Sequence, residues 1–154
     1  MTKWSKSFTD TIINTDMTDI EKAKKIFFDG GYSCILCRGN SAFTSSERGI
    51  KRLLDFCSDG NSYNGFSVAD KIVGKAAAFL YAKMGVENVY AQVLSRKGEQ
   101  VLIKYGIRYS YGTLCDEIIN RKGDDICPME KTVINIENYD EAYEALLNKI
   151  SEIA

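Results

Sequence analysis

The chain has 154 residues, 45% of them hydrophobic and 27% charged, with 20 basic against 21 acidic side chains. A chain of this length buries roughly 70% of the surface its unfolded form exposes, so one domain can stand without disulfides or a structural metal. The formal net charge of -1 supplies no global field for nucleic acid or an acidic membrane, and neither is an expected partner.

Histidine is absent. That removes imidazole as metal ligand, as the usual general base and as a pH switch near neutrality. Chemistry then falls to Lys, Cys, Asp, Glu, Tyr or a bound cofactor, and no motif calls for a cofactor. The five cysteines, Cys34, Cys37, Cys57, Cys115 and Cys127, form an odd set without the spacing of a secreted disulfide framework. No apolar run suits a signal peptide or approaches the ~20 residues that span a bilayer. The expectation is a cytoplasmic protein in a reducing compartment.

With one proline, Pro128, and no repeat or low-complexity tract, the pattern predicts an irregular arm over residues 1–16 and a single domain over 17–154. Ile20, Ala23, Ile26 and Phe27 recur at helical spacing up to Gly30-Gly31, which predicts a helix over about Thr18 to Asp29. Tyr32 to Cys37 reads as a central strand. Gly39-Asn40 turns the chain back into Ser41 to Ser45, making an antiparallel hairpin. Thr44 and Glu47 have capping-box spacing ahead of a second helix through Leu53, Leu54 and Cys57 that ends near Asp59-Gly60.

After the polar loop Asn61 to Phe66, Ser67 and Asp70 repeat the capping spacing ahead of Val68, Ile72, Val73, Ala76, Ala77, Ala78, Phe79 and Leu80. This predicts one helix, apolar nearly all round and buried. Val89 to Leu94 reads as a strand, Arg96 to Tyr105 as a helix and Ile107 to Tyr111 as a strand, a succession that implies parallel pairing. Thr113 and Asp116 would cap a helix through about Asn120, with Gly123 at its C-terminal turn. Cys127-Pro128-Met129-Glu130 has an N-cap, a proline at the first helical position and an acid at the third, and predicts a helical turn. Residues 131–137 stay open between strand and helix, and a last amphipathic helix runs from about Asp140 to Ile153.

This order resembles the three-layer α/β/α, cytidine-deaminase-like fold, a mixed sheet whose N-terminal antiparallel hairpin is followed by parallel strands. The strings Val68-Ala69-Asp70-Lys71-Ile72-Val73-Gly74-Lys75-Ala76-Ala77-Ala78 and Asn120-Arg121-Lys122-Gly123-Asp124-Asp125-Ile126-Cys127-Pro128-Met129-Glu130 resemble the bacterial family called domain of unknown function 1893. The likeness covers about Gly31 to Ile150 and implies a fold without assigning an activity. Zinc deaminases carry His-x-Glu at one helix start and Pro-Cys-x-x-Cys at the next. The corresponding places here look like Val68-Ala69-Asp70 and Ser95-Arg96-Lys97-Gly98, which provide no zinc ligand set, so zinc-dependent deamination is excluded and no metal is expected.

Several residues invite chemistry. Cys34 and Cys37, three apart on a strand, point to opposite faces and cannot share a metal or a disulfide, which favours core packing. Lys75, after Gly74 on an apolar helix, needs a partner, an anionic ligand or a lowered pKa if it is buried. Asp70 reads better as a cap than as a catalytic acid, and Gly74 admits either a ligand or a packed helix. Ser67 and Ser95 begin helices whose free N–H groups could hold an anion, with Arg96 and Lys97 beside Ser95. Cys127, as N-cap with Arg121 close in sequence, is a candidate nucleophile activated by a lowered pKa, whereas Cys115 beside Asp116 is expected to be buried and inert. Tyr63, Phe66, Tyr105, Tyr109 and Tyr111 show no spacing that selects a base-stacking platform.

The leading expectation is a small-molecule-binding protein. It would use the Lys75 helix and the segment Asn120, Arg121 to Glu130 around an anionic or nucleotide-like ligand. Two alternatives stand beside it. One is a zinc-independent enzyme with Cys127 as nucleophile, Lys75 as electrostatic stabiliser or base and Arg121 as anion clamp. The other is a noncatalytic interaction module, in one version a homodimer.

Overall fold

A computed structural model describes residues 5–8 and 17–153 of the chain. Of the expected irregular arm, Ser5–Phe8 is a strand, β1, and the rest of that expectation lies outside the described residues. Helix α1 (Asp19–Gly30) begins at a capping box: the Thr18 hydroxyl accepts from Glu21 N at 3.3 Å and Glu21 Oε1 accepts from Thr18 N at 3.0 Å. It ends where Gly31 takes a left-handed conformation, φ +69°, that costs glycine little. The hairpin follows as expected, β2 (Cys34–Arg38) and β3 (Ser41–Ser45) turning on Gly39 and Asn40.

Helix α2 (Lys51–Ser58) starts from Ile50 without a side-chain cap, which corrects the expected Thr44/Glu47 capping box. Thr44 is committed to β3, opposite Ile35 of β2, and is not free to cap a later helix. The larger correction concerns the predicted helix from Ser67. Ser67–Val73 is a strand, β4, and only Lys75–Met84 is helical, α3, so neither Ser67 nor Asp70 caps a helix. The strand lies between β2 and β5 and its first four residues are buried, so apolar groups on every side reflect two covered faces. Gly74, in extended conformation, is the break between the two periods.

Strand β5 (Asn88–Ser95), helix α4 (Arg96–Lys104) and strand β6 (Arg108–Cys115) follow the expected order and pair in parallel. The helix expected from Thr113 to Asn120 is absent. Thr113 lies in β6, an edge strand, and the chain then bends into a short hairpin closed by the Ile119–Ile126 bridge. Helix α5 (Pro128–Thr132) is the expected turn after Cys127, no strand forms over 131–137, and α6 (Tyr139–Ile153) ends the described chain.

The six strands form one mixed sheet in the order β1-β3-β2-β4-β5-β6. β1, β3, β2 and β4 pair antiparallel, and β4, β5 and β6 pair parallel. One face carries α1, whose Ala23, Ile26 and Phe27 pack on Ile35, Cys37, Ala69 and Tyr90. The other carries α2, α3, α4 and α6 over Cys34, Leu36, Val68, Val89 and Leu94. The result is a three-layer α/β/α fold. Cys34 and Cys37 fall in different core clusters on opposite faces of β2, as strand geometry requires.

Candidate functional site

A hollow opens where the pairing of β4 changes. On one side β4 is matched to β2 only as far as Asp70 opposite Cys34. On the other it runs on beside β5 to Val73 opposite Leu94. Lys71 N still donates to the Ser33 carbonyl at 3.0 Å, just ahead of β2, but Ile72 has no partner strand on that side and, in the middle of the sheet order, is 51% exposed. The resulting cavity measures about 400 Å³. Gly31 and Ser33, the 46–50 loop, Arg52 of α2, the start of α3, and Ile118, Arg121, Cys127, Met129 and Glu130 enclose it. Open α/β sheets hold ligands at such changes of strand order, beyond the carboxyl ends of strands.

One wall is a buried polar network. Asp70 is 1% exposed and accepts from Arg52 Nη2 at 3.0 and 3.2 Å and from Tyr81 Oη at 2.5 Å. Arg52, 6% exposed, also donates to the Gly49 carbonyl. Tyr81 Oη lies 3.2 Å from Cys34 Sγ. Burial raises the Asp70 carboxyl above its ordinary value, although Arg52 and Tyr81 pull the other way. Burial, the largest single influence, opposes charge on Arg52, but Asp70, Cys34 and Tyr81 together outweigh it and the guanidinium keeps its proton more firmly than in water. Burial holds Tyr81 protonated and, with the Asp70 charge, pushes the Cys34 thiol up to about 12.

The other wall is Glu130. Its Oε1 accepts from Lys75 N at 2.7 Å and its Oε2 from Ala76 N at 2.8 Å, so the carboxylate closes the N-terminus of α3. Burial raises this carboxyl, against the two N–H bonds that favour its charge. The helix start is packed as closely beside α4, where a Cβ on Gly98 would come within 2.9 Å of the Gly74 carbonyl carbon. Ser95 caps α4 by accepting from Gly98 N at 3.0 Å.

With Asp70 and Glu130 engaged, the charge left facing the hollow is positive. Four cations, Arg48, Arg52, Lys71 and Arg121, line it against three carboxylates, Glu47, Asp70 and Glu130. Among the described residues Arg48, Lys71 and Arg121 form no ion pair.

The family model for domain of unknown function DUF1893 matches residues 22–150. The chain belongs to this family. A crystal structure of a DUF1893 family protein from Thermotoga maritima is similar, with a TM-score of 0.79 at 28% identity over 91% of this chain and 98% of that one. No curated protein matches the chain.

The expected site residues of this DUF1893 domain separate into two groups. Asp70, Gly74, Arg121, Cys127 and Glu130 meet at the cavity. Cys127 precedes α5 with no side-chain capping bond, so its sulfur is not engaged in closing that turn. Lys75 stands outside: its Nζ donates to the Ile134 carbonyl at 3.1 Å and sits 5.7 Å from the Phe79 ring centre, in a separate small crevice with Ser95 and Glu130. Its position at the first turn of α3 removes the burial cost that made it suspect. It does not share the cavity with Cys127, which corrects the pairing expected of them.

Ser67 is buried at the far end of β4, and Arg96 makes an exposed pair with Asp116 at 3.1 Å. Asn120 accepts from Gly123 N and Asp124 N and shapes its own turn. Sequence reasoning missed Arg48, Arg52 and Lys71. Arg52 follows the spacing of a solvated helix face, and only the buried acid opposite reveals its role.

Proposed function

We propose that the protein binds an anionic small molecule in the cavity at the end of β4. The observation that carries this reading is the trio Arg48, Lys71 and Arg121, three cations in no ion pair among the described residues, lining a small-molecule-sized hollow in which Glu47 is the one carboxylate not held by a buried partner. The two buried carboxylates there are already held, Asp70 by Arg52 and Glu130 by the α3 N–H groups, so they do not neutralise the trio. Arg121 and Arg48 would clamp the anion, and Lys71 would add a point charge.

A hairpin joined antiparallel to a strand that begins a parallel run supports the cytidine-deaminase-like reading of this fold. That fold family implies zinc, and the donor set does not fit. The adjoining helix starts, Gly74-Lys75-Ala76 and Ser95-Arg96-Lys97-Gly98, offer ammonium and guanidinium groups where thiolates and imidazole would be needed. Among the described residues no three of His, Cys, Asp and Glu come together as a metal site. Binding proceeds in this reading without deaminase chemistry. The five free thiols favour a reducing cytoplasm. No described helix is long and apolar enough to cross a membrane.

Cys127 lines the same cavity as Arg121, and that observation favours a catalytic version of the same reading with Cys127 as nucleophile. The test of binding is calorimetric titration of the intact protein with a panel of organic phosphates and carboxylates. Arg121→Ala is expected to weaken the best binder at least tenfold while leaving the unfolding transition unchanged. Equal affinity in both proteins would remove the cavity from consideration.

A further inference from the structure

The apolar part of the cavity is aliphatic. The chain has nine tyrosines, seven phenylalanines and one tryptophan, yet among the described residues no aromatic side chain lines this hollow. The rings pack elsewhere, for example Phe56 on Tyr63 at 4.7 Å and Phe28 on Tyr90 at 5.5 Å. What the hollow offers instead is Ile72, Ile118 and Met129. Ile72 leaves half its surface open in the middle of the sheet order, apolar area that a ligand could cover. A planar base would find no ring to stack on, whereas an alkyl body would meet branched and thioether carbon.

Resting on the anion-binding reading above, we infer that the ligand is an aliphatic anion, its phosphate or carboxylate head at Arg48, Lys71 and Arg121 and its alkyl body against Ile72, Ile118 and Met129. Of the anionic or nucleotide-like ligands expected from the sequence, this keeps the anion and departs from the nucleotide-like option.

The experiment is calorimetric titration of the full chain with butyl, hexyl and octyl phosphate, the matching alkanoates, inorganic phosphate and adenosine monophosphate. Affinity is expected to rise up to about fourfold per added methylene until the hollow is filled. Ile72→Ser should flatten that rise without abolishing head-group binding, and Arg121→Ala should weaken every chain length alike. The series that binds more tightly, phosphate or carboxylate, identifies the head group. Affinity indifferent to chain length, or tighter binding of adenosine monophosphate than of any alkyl anion, would overturn the aliphatic class and leave anion binding standing. Failure of every anion in the panel would overturn both.

Discussion

The Glu130 carboxylate occupies the space that a β-carbon on Gly74 would need, and from there it reaches both Lys75 N and Ala76 N. Gly74 has φ -104° and ψ -168°, a backbone open to any residue, so its requirement for glycine is steric. Gly74→Ala should therefore displace Glu130 and expose the start of α3, lowering stability by about 1–3 kcal/mol in urea unfolding. Glu130→Ala should lose a similar amount. Because both substitutions break the same contact, the double variant should lose clearly less than the sum. Additive losses would show that the two residues act separately.

Acid should reveal Glu130 differently. Its carboxyl titrates above the ordinary 4.5 because it is buried, so the folded state binds a proton that the unfolded state has already released. The contribution of this group is then fully present below pH 4.5 and is lost as pH rises through the raised folded value. Unfolding curves of the native protein and Glu130→Gln, subtracted at each pH, should show the native protein losing relative stability across that window and a flat difference above it. A difference that grows with pH would reverse the assignment.

The Arg52–Asp70 pair should be costly to break and cheap to replace. Asp70→Ala leaves a guanidinium buried without its carboxylate, and a loss of ~3–5 kcal/mol is expected in chemical denaturation. Arg52→Met combined with Asp70→Leu removes both charges and should recover most of that loss. Tyr81→Phe, which deletes one hydrogen bond to Asp70, should cost about 1 kcal/mol.

Thiol labelling should divide the cysteines by position. Burial pushes Cys34 and Cys57 up to about 12 and Cys37 up to about 11, so these three should resist iodoacetamide at pH 7.5 until the protein unfolds. Cys127, half-buried on the cavity wall, should label first, and an anion bound at Arg121 should slow it. Peptide mass spectrometry over time reads both effects. Labelling of Cys127 that a saturating ligand leaves untouched would place the ligand elsewhere.

The parts of this fold that were legible in the sequence are those whose signals are local. Gly30-Gly31 after the first helical run, Gly39-Asn40 between two short strands, and Ser95 at the start of α4 each mark a boundary through local turn or capping geometry. The run from Val68 to Leu80 failed because a strand covered on both faces and a helix buried all round present the same unbroken apolar string. Its β-branched half, Val68, Ile72 and Val73, and the glycine that ends it were the available clues. Thr113 and Asp116 misled because capping spacing also arises by chance on a polar edge strand.

The site divided along the same line. Cys127, Arg121, Gly74 and Glu130 were legible because two short strings carry them. The association of Asp70 with Arg52 was not, since a contact across 18 residues depends on the packing of α2 against the sheet.

The hollow beside β4 arises from strand lengths: β2 begins opposite Asp70 while β4 continues to Val73. The opening follows from where β2 starts, so substitutions in the lining chiefly alter what fits, whereas extending the pairing of β2 along β4 towards Val73 would narrow it. Architecture here fixes the shape of a socket and leaves its chemistry to be written by substitution. Two chains sharing this fold could then recognise unrelated molecules at the same address, and their specificities should be compared by the lining residues ahead of overall likeness.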